Sequence, residues 1–401
     1  MARARDGKSP RGVTISGPGP PTITGMVTAA RTTTRVSQNT GRTAARAGAW
    51  AVLLGTAITT VGISWDVQWH REVGPDTFLT LPHLVLYSGS ALAGFASLVM
   101  VLVVTAAERA GRSVPRTVGG TPVRVLGGAF TAPLGYLISG LGAASFLLYG
   151  LLDLWWHSIY GFDAVLSTPS HVALFLSISV TMVGSIVVFA AAGDQRWGRA
   201  GVLLAIPILI TFAPITTNAF DTLSLPFDPT VAGIIFFSSM LLILGAGILR
   251  RPGAAVAIAA VLGILQAFLW WFSPWAAHTY AAAVGLPLRD GLTPLPPDLP
   301  NAIPMFLIVA AAAVEALLWM IRTRGVDARR PLLLTGAVTG LIVAASLPLQ
   351  QYLTDPTSGI SPTDIPIIVI VGLPLGVLAG FLAARFIAMV RALAPVTKEV
   401  R

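Results

Sequence analysis

The chain has 401 residues, of which 54% are hydrophobic and only 11% charged, and its mean hydropathy is +0.77. A soluble domain carries about a quarter charged residues, so this sequence lacks the polar surface to cover a water-exposed globule. It contains no cysteine, which excludes disulfides, Cys-ligated zinc, iron–sulfur clusters and thiol catalysis.

Residues 1–45 are rich in Arg, Thr, Ser, Gly and Pro, with Asp6 as the only acid, and lack the apolar core of a signal peptide. This stretch reads as a disordered, basic cytoplasmic tail. Beyond Trp50, apolar runs recur at 47–66, 81–106, 125–152, 169–192, 200–219, 231–249, 253–273, 303–321, 331–350 and 365–390. Each comes close to the roughly 20 residues that a helix needs to cross a hydrocarbon core of about 30 Å. The predicted fold is all-α, a polytopic membrane bundle of about ten helices.

Basic residues sit in every second loop: Arg109, Arg112, Arg116 and Arg124; Arg196 and Arg199; Arg250 and Arg251; Arg322, Arg324, Arg329 and Arg330; then Arg391, Lys398 and Arg401 at the end. That alternation predicts a cell-membrane protein with both termini in the cytoplasm and the Pro-, Asp- and aromatic-rich loops on the extracytoplasmic side. It also accounts for the net charge of +9 without nucleic acid, which is not expected as a partner. The expected organisation is a tail (1–45), a metal-binding membrane module (46–195), further transmembrane helices (196–392) and a short cytoplasmic tail (393–401).

Two of the outward loops repeat one another. The first reads W-D-V-Q-W-H-R-E-V-G-P-D-T-F-L-T-L-P-H and the second L-D-L-W-W-H-S-I-Y-G-F-D-A-V-L-S-T-P-S-H. Asp66, Trp69, His70, Gly74, Asp76 and Pro82 match Asp153, Trp156, His157, Gly161, Asp163 and Pro169 at one constant offset. Only the last histidines, His83 and His171, are displaced by one position. Asp and His four apart project from one helix face, and a Pro in the first turn of the next helix brings its His back towards them. Each copy therefore supplies one carboxylate and two imidazoles, a ligand set suited to Cu, Fe(II) or Zn with open positions left over. The alternative is a hydrogen-bonded helix-cap network. Four of the five histidines fall in the two copies, which favours metal.

These motifs resemble those of the C subunit of the copper membrane monooxygenases, the particulate methane, ammonia and hydrocarbon monooxygenases. The family's first site, Asp, His four later and His thirteen after that, is matched by Asp66, His70 and His83. Its second site spaces two histidines by fourteen, as His157 and His171 are spaced, and T-P-S-H appears at Thr168–His171. Asp153 stands where the family has Asn. The likeness covers about 45–195. It implies copper, with iron or zinc as alternatives, activation of O2, oxidation of a small apolar substrate, and partner membrane subunits or a homo-oligomer. The rival readings are a copper- or zinc-handling membrane protein, by transport or storage, and a non-catalytic assembly subunit.

Weaker signals lie outside the repeat. His278, in W-W-F-S-P-W-A-A-H-T-Y, is read as part of an outer loop with Trp270, Trp271, Trp275 and Tyr280. It belongs to an aromatic belt, or it is a further ligand or proton relay. Asp221 and Asp228 mark a turn in the third hairpin. Gln266, Glu315 and Arg385 fall inside spans, where polar groups are costly and need a partner or a function.

Overall fold

In a bilayer every backbone N–H and C=O must find a partner within the protein, which long apolar stretches achieve by coiling into helices. The computed structural model describes residues 23–161, 166–218, 220–225, 227–292, 295–324, 329–355 and 364–393. In order it contains α1 (Ile23–Glu72), α2 (Leu81–Arg109), β1 (Pro122–Val125), β2 (Phe130–Pro133), α3 (Leu134–Tyr160), α4 (Pro169–Ala190), α5 (Arg196–Asn218) and α6 (Pro229–Leu249). There follow α7 (Ala254–Val284), α8 (Asp298–Ala302), α9 (Leu307–Arg324), α10 (Arg329–Thr354) and α11 (Asp364–Leu393). Ten helical segments among the described residues are long and apolar enough to span a membrane. The first is Thr43–Glu72, and α8 and α9 together make the eighth. Residues Ala45–Arg401 pack as one unit.

Three boundaries differ from the sequence reading, the first being that α1 already begins at Ile23, within the stretch read as a disordered tail. The third span starts at Leu134 rather than 125, because the preceding residues form an antiparallel hairpin pairing Pro122 with Pro133 and Val125 with Phe130. Gly127 and Gly128 turn the hairpin in the left-handed region, at φ 67° and 92°, which a helix cannot pass through. Thr131 fixes the hairpin to α2: its N–H donates to Thr105 Oγ1 and its hydroxyl to Glu108 Oε2. The seventh helix runs on to Val284, so Trp270, Trp271, Trp275, His278 and Tyr280 are helical rather than in an outer loop. The loop reading failed because Pro274 is accommodated inside the helix.

The hairpins that carry the repeat are held by backbones in direct contact. A Cβ on Gly62 would sit 2.6 Å from Leu86 N, and one on Gly55 would sit 2.6 Å from Gly89 O, so the backbones of α1 and α2 touch where α1 has glycine. Gly142 faces Thr181 and Ser177 in the same way between α3 and α4. Small residues permit this close approach, which replaces the hydrophobic drive that is lost in lipid. α5 lies at the centre, with 83% of its spanning window buried.

Gln266, Glu315 and Arg385, the polar groups singled out inside spans, have structural partners. The break between α8 and α9 frees backbone carbonyls, and two glutamines reach across to it. Gln266 Nε2 donates to Pro300 O and Ile303 O, while Gln350 Nε2 donates to Asn301 O and Ile303 O. Gln350 Oε1 accepts from the N–H of Met305. Glu315 Oε1 accepts the N–H of Ala255, one of the unpaired donors in the first turn of α7. Arg385 lies over the ring of Phe381, 5.3 Å from its centroid. Asp228 caps α6 by accepting from Thr230 N and Val231 N, in keeping with the turn reading of the third hairpin.

Candidate metal centre

The last turns of α1 carry Asp66 and His70, and the first turn of α2 carries His83. The connecting loop is tied down at several points. Trp69, fully buried against Tyr280 of α7, donates its indole N–H to Pro75 O at 2.8 Å. Ser64 and Ser273 share a hydrogen bond that joins α1 to α7. Thr77 N–H is shared between Asp76 Oδ1 and Thr80 Oγ1, and the Thr80 hydroxyl donates back to Thr77 O. These bonds swing Asp76 inward, where only 2% of its side chain is exposed.

Four residues therefore converge instead of three. Asp66 Oδ1 is 3.1 Å from His83 Nε2 and 3.9 Å from His70 Nε2. Asp76 Oδ2 is 2.9 Å from His70 Nε2 and 3.4 Å from His83 Nε2. Asp66 Oδ1 and Asp76 Oδ2 are buried, and neither has a hydrogen-bond partner. The imidazoles approach these oxygens without the alignment that an N–H···O bond requires. Ligand atoms about 2.0–2.2 Å from a tetrahedral ion stand roughly 3.4 Å apart, which is the spacing seen here. His83 Nδ1 lies 2.9 Å from Thr77 O. A carbonyl can only accept, so in the neutral ring Nδ1 holds the proton and Nε2 offers its lone pair to the cluster, the arrangement usual for metal-ligating histidines. Burial opposes ionisation of Asp76, yet His70, His83 and Thr80 hold its carboxyl below the usual carboxylate range.

The second copy builds the same design from α3 and α4. Asp153 and His157 occupy the last turns of α3, and Thr168 caps α4 by accepting the N–H of His171. Asp153 Oδ1 is 3.4 Å from His157 Nε2 and 3.5 Å from His171 Nε2, and it too is buried without a hydrogen-bond partner. His157 Nδ1 lies 2.8 Å from Gly161 O, which again turns Nε2 towards the carboxylate. Gly161 ends the helix at φ 85°, a conformation for which glycine is suited. The matching rings stack alike, His83 on Tyr87 at 22° and His171 on Phe175 at 16°. Asp163, the repeat partner of Asp76, lies outside the described residues.

Within each cluster the candidate ligand atoms all lie within 4.8 Å of one another. All six ligands read from the sequence are thus brought together, in two groups of three. The sequence reading left out Asp76, which joins the first cluster as a fourth candidate ligand. Its signal was present in the repeat, where it matches Asp163, but the loop's inward turn depends on Thr77, Thr80 and Trp69. The clusters also share one cavity of about 340 Å³, which was not legible in the sequence. Its remaining wall is largely apolar, with Ile63, Leu86, Phe146, Leu174, Phe175 and Ile178, and Arg71 and Asp298 form an ion pair beside it. A larger groove of about 490 Å³ on α10 and α11, lined by Leu333, Leu373 and Phe381 among others, presents almost no polar surface.

His278 joins neither cluster. Its Nε2 is 2.9 Å from Glu72 Oε2, and the ring is about half exposed. Comparison with family models, with curated proteins and with solved structures finds no match to this chain.

Proposed function

We propose that this is a multi-pass protein of the cell membrane in which the two Asp–His clusters hold metal ions that activate O2 for oxidation of a small apolar molecule. In this reading it works in the manner of the copper membrane monooxygenase C subunit that its motifs resemble. The observation that carries the proposal concerns the four buried carboxylate oxygens without hydrogen-bond partners among the described residues. Three of them, on Asp66, Asp76 and Asp153, each face two imidazoles in the clusters, whereas the fourth, Glu72 Oε2, faces His278 alone. A buried carboxylate without a compensating charge costs about 1–3 kcal/mol or more, and a metal ion would supply that charge while the imidazoles serve as neutral ligands. A helix-cap network would instead have paired these oxygens with N–H donors.

Asp66, Asp76, His70 and His83 would hold one ion, and Asp153, His157 and His171 the other. Copper is the favoured metal by resemblance, and it would supply the redox chemistry with O2. The chain's own contribution is to fix the ligand geometry, to set the imidazole tautomers through Thr77 O and Gly161 O, and to keep water from a cavity walled by aliphatic and aromatic side chains. That wall suits a small apolar substrate. The alternating basic loops support an orientation with both termini in the cytoplasm and the clusters outside. The thinly covered α3, with 28% of its spanning window buried, suits lipid or partner membrane subunits.

Transport of the metal is the less favoured reading. A path through the bilayer needs free polar groups, and Gln266 and Glu315 are engaged with backbone while Arg385 lies over Phe381. The deciding experiment is metal analysis of detergent-purified protein followed by anaerobic reduction and exposure to O2. Two metal ions per chain, with copper signals that change on reaction with O2, support the oxygenase reading. Bound metal that is inert to O2 supports storage, and no bound metal removes both.

A further inference from the structure

Resting on the reading of the clusters as metal sites, we infer that Asp76 is a fourth protein ligand of the first site, which holds a divalent ion in preference to Cu(I). The spacing of Asp66, His70 and His83 predicts a set of one carboxylate and two imidazoles. The structure adds a second carboxylate whose side chain is 98% buried, given its 2% exposure, with Oδ2 aimed at both imidazole nitrogens and lacking a hydrogen-bond partner.

Its two oxygens do different work. Oδ1 accepts the Thr77 N–H at 2.7 Å, which fixes the plane of the carboxylate and directs Oδ2 to the cluster. Asp66 holds the opposite side, with Oδ1 on His83 Nε2 at 3.1 Å. The site therefore presents two hard anionic oxygens and two borderline nitrogens, with a formal charge of −2 that a divalent ion neutralises. Cu(I), which is soft and content with two nitrogen ligands, gains little from carboxylate oxygen. A divalent ion gains both the ligand and the charge compensation, within a buried pocket where screening is weak.

Asp76→Asn isolates this role. An asparagine Oδ1 still accepts the Thr77 N–H, so the loop bond is kept while the charge and the anionic ligand are removed. The test uses full-length protein in detergent, with His157→Ala present throughout so that only the first site is counted. Co(II) binding is followed by its visible absorption, and Cu(I) binding by anaerobic competition with a chromophoric chelator. Asp76→Asn is expected to weaken Co(II) binding at least tenfold and alter its spectrum, while Cu(I) binding changes less than threefold.

Unchanged Co(II) affinity and spectrum in Asp76→Asn, with loss in His70→Ala, would overturn the inference and leave the metal site standing. An equal loss of Co(II) and Cu(I) would also overturn it, because Asp76 would then be positioning the histidines. Co(II) retained in His70→Ala would instead remove the metal reading on which the inference rests.

Discussion

Asp66 Oδ1 stands 3.1 Å from His83 Nε2, so the last turns of α1 and the first turn of α2 meet across the loop that joins them. Asp153 and His171 repeat the relation at 3.5 Å in the second hairpin. Each cluster is therefore built within one hairpin, and under the metal reading each should be emptied on its own.

His70→Ala is expected to remove one metal ion per chain while the second site stays loaded, and His157→Ala to do the converse. Elemental analysis of the two purified variants checks this. Full metal content in both would make the histidines structural caps. Loss of both ions from either single variant would mean one dinuclear centre across the shared cavity.

The first site also depends on how closely α1 and α2 approach. A Cβ on Gly62 would meet Leu86 N at 2.6 Å, one turn inside Asp66. Gly62→Ala should force the helices apart at a cost of about 1–3 kcal/mol, the range for overpacking. It should weaken metal binding at the first site several-fold and leave the second unchanged. Gly263→Ala, where nothing lies within 4 Å, should leave both stability and metal content intact. Thermal unfolding in detergent and metal titration of both variants make the comparison.

At the break between α8 and α9, Gln266 and Gln350 both donate to Ile303 O. Replacing either with Leu should cost about 1–3 kcal/mol, because carbonyls are left unsatisfied away from water. Each single variant keeps one donor on Ile303 O, so the double variant should lose more stability than the sum of the two. Strict additivity in unfolding measurements would show that the two glutamines act separately.

Orientation is testable because the chain has no native cysteine. Leu79, 66% exposed in the loop of the first cluster, should react as Cys with an impermeant thiol reagent from outside intact cells. Arg112→Cys, on the exposed α2–β1 connection, should react only after the membrane is opened. The reverse pattern would place the clusters in the cytoplasm.

Much of this was legible in the sequence. Ten spans follow from apolar runs because a bilayer accepts few other structures, and the two Asp–His–His sets follow from an internal repeat with helical spacing. These are local properties: a helix and the face it presents depend on residues one turn apart. The tertiary structure decided what depends on distant contacts. Asp76 turns inward because Trp69 and Thr80 hold its loop, and the clusters open on one cavity because α1–α2 packs beside α3–α4. The same holds for Gln266 and Glu315, whose spacing in the chain gives no hint of partners at Pro300 and Ala255. Their roles arise because a broken helix and a helix start leave backbone groups unpaired nearby, and in lipid only another part of the chain can satisfy them.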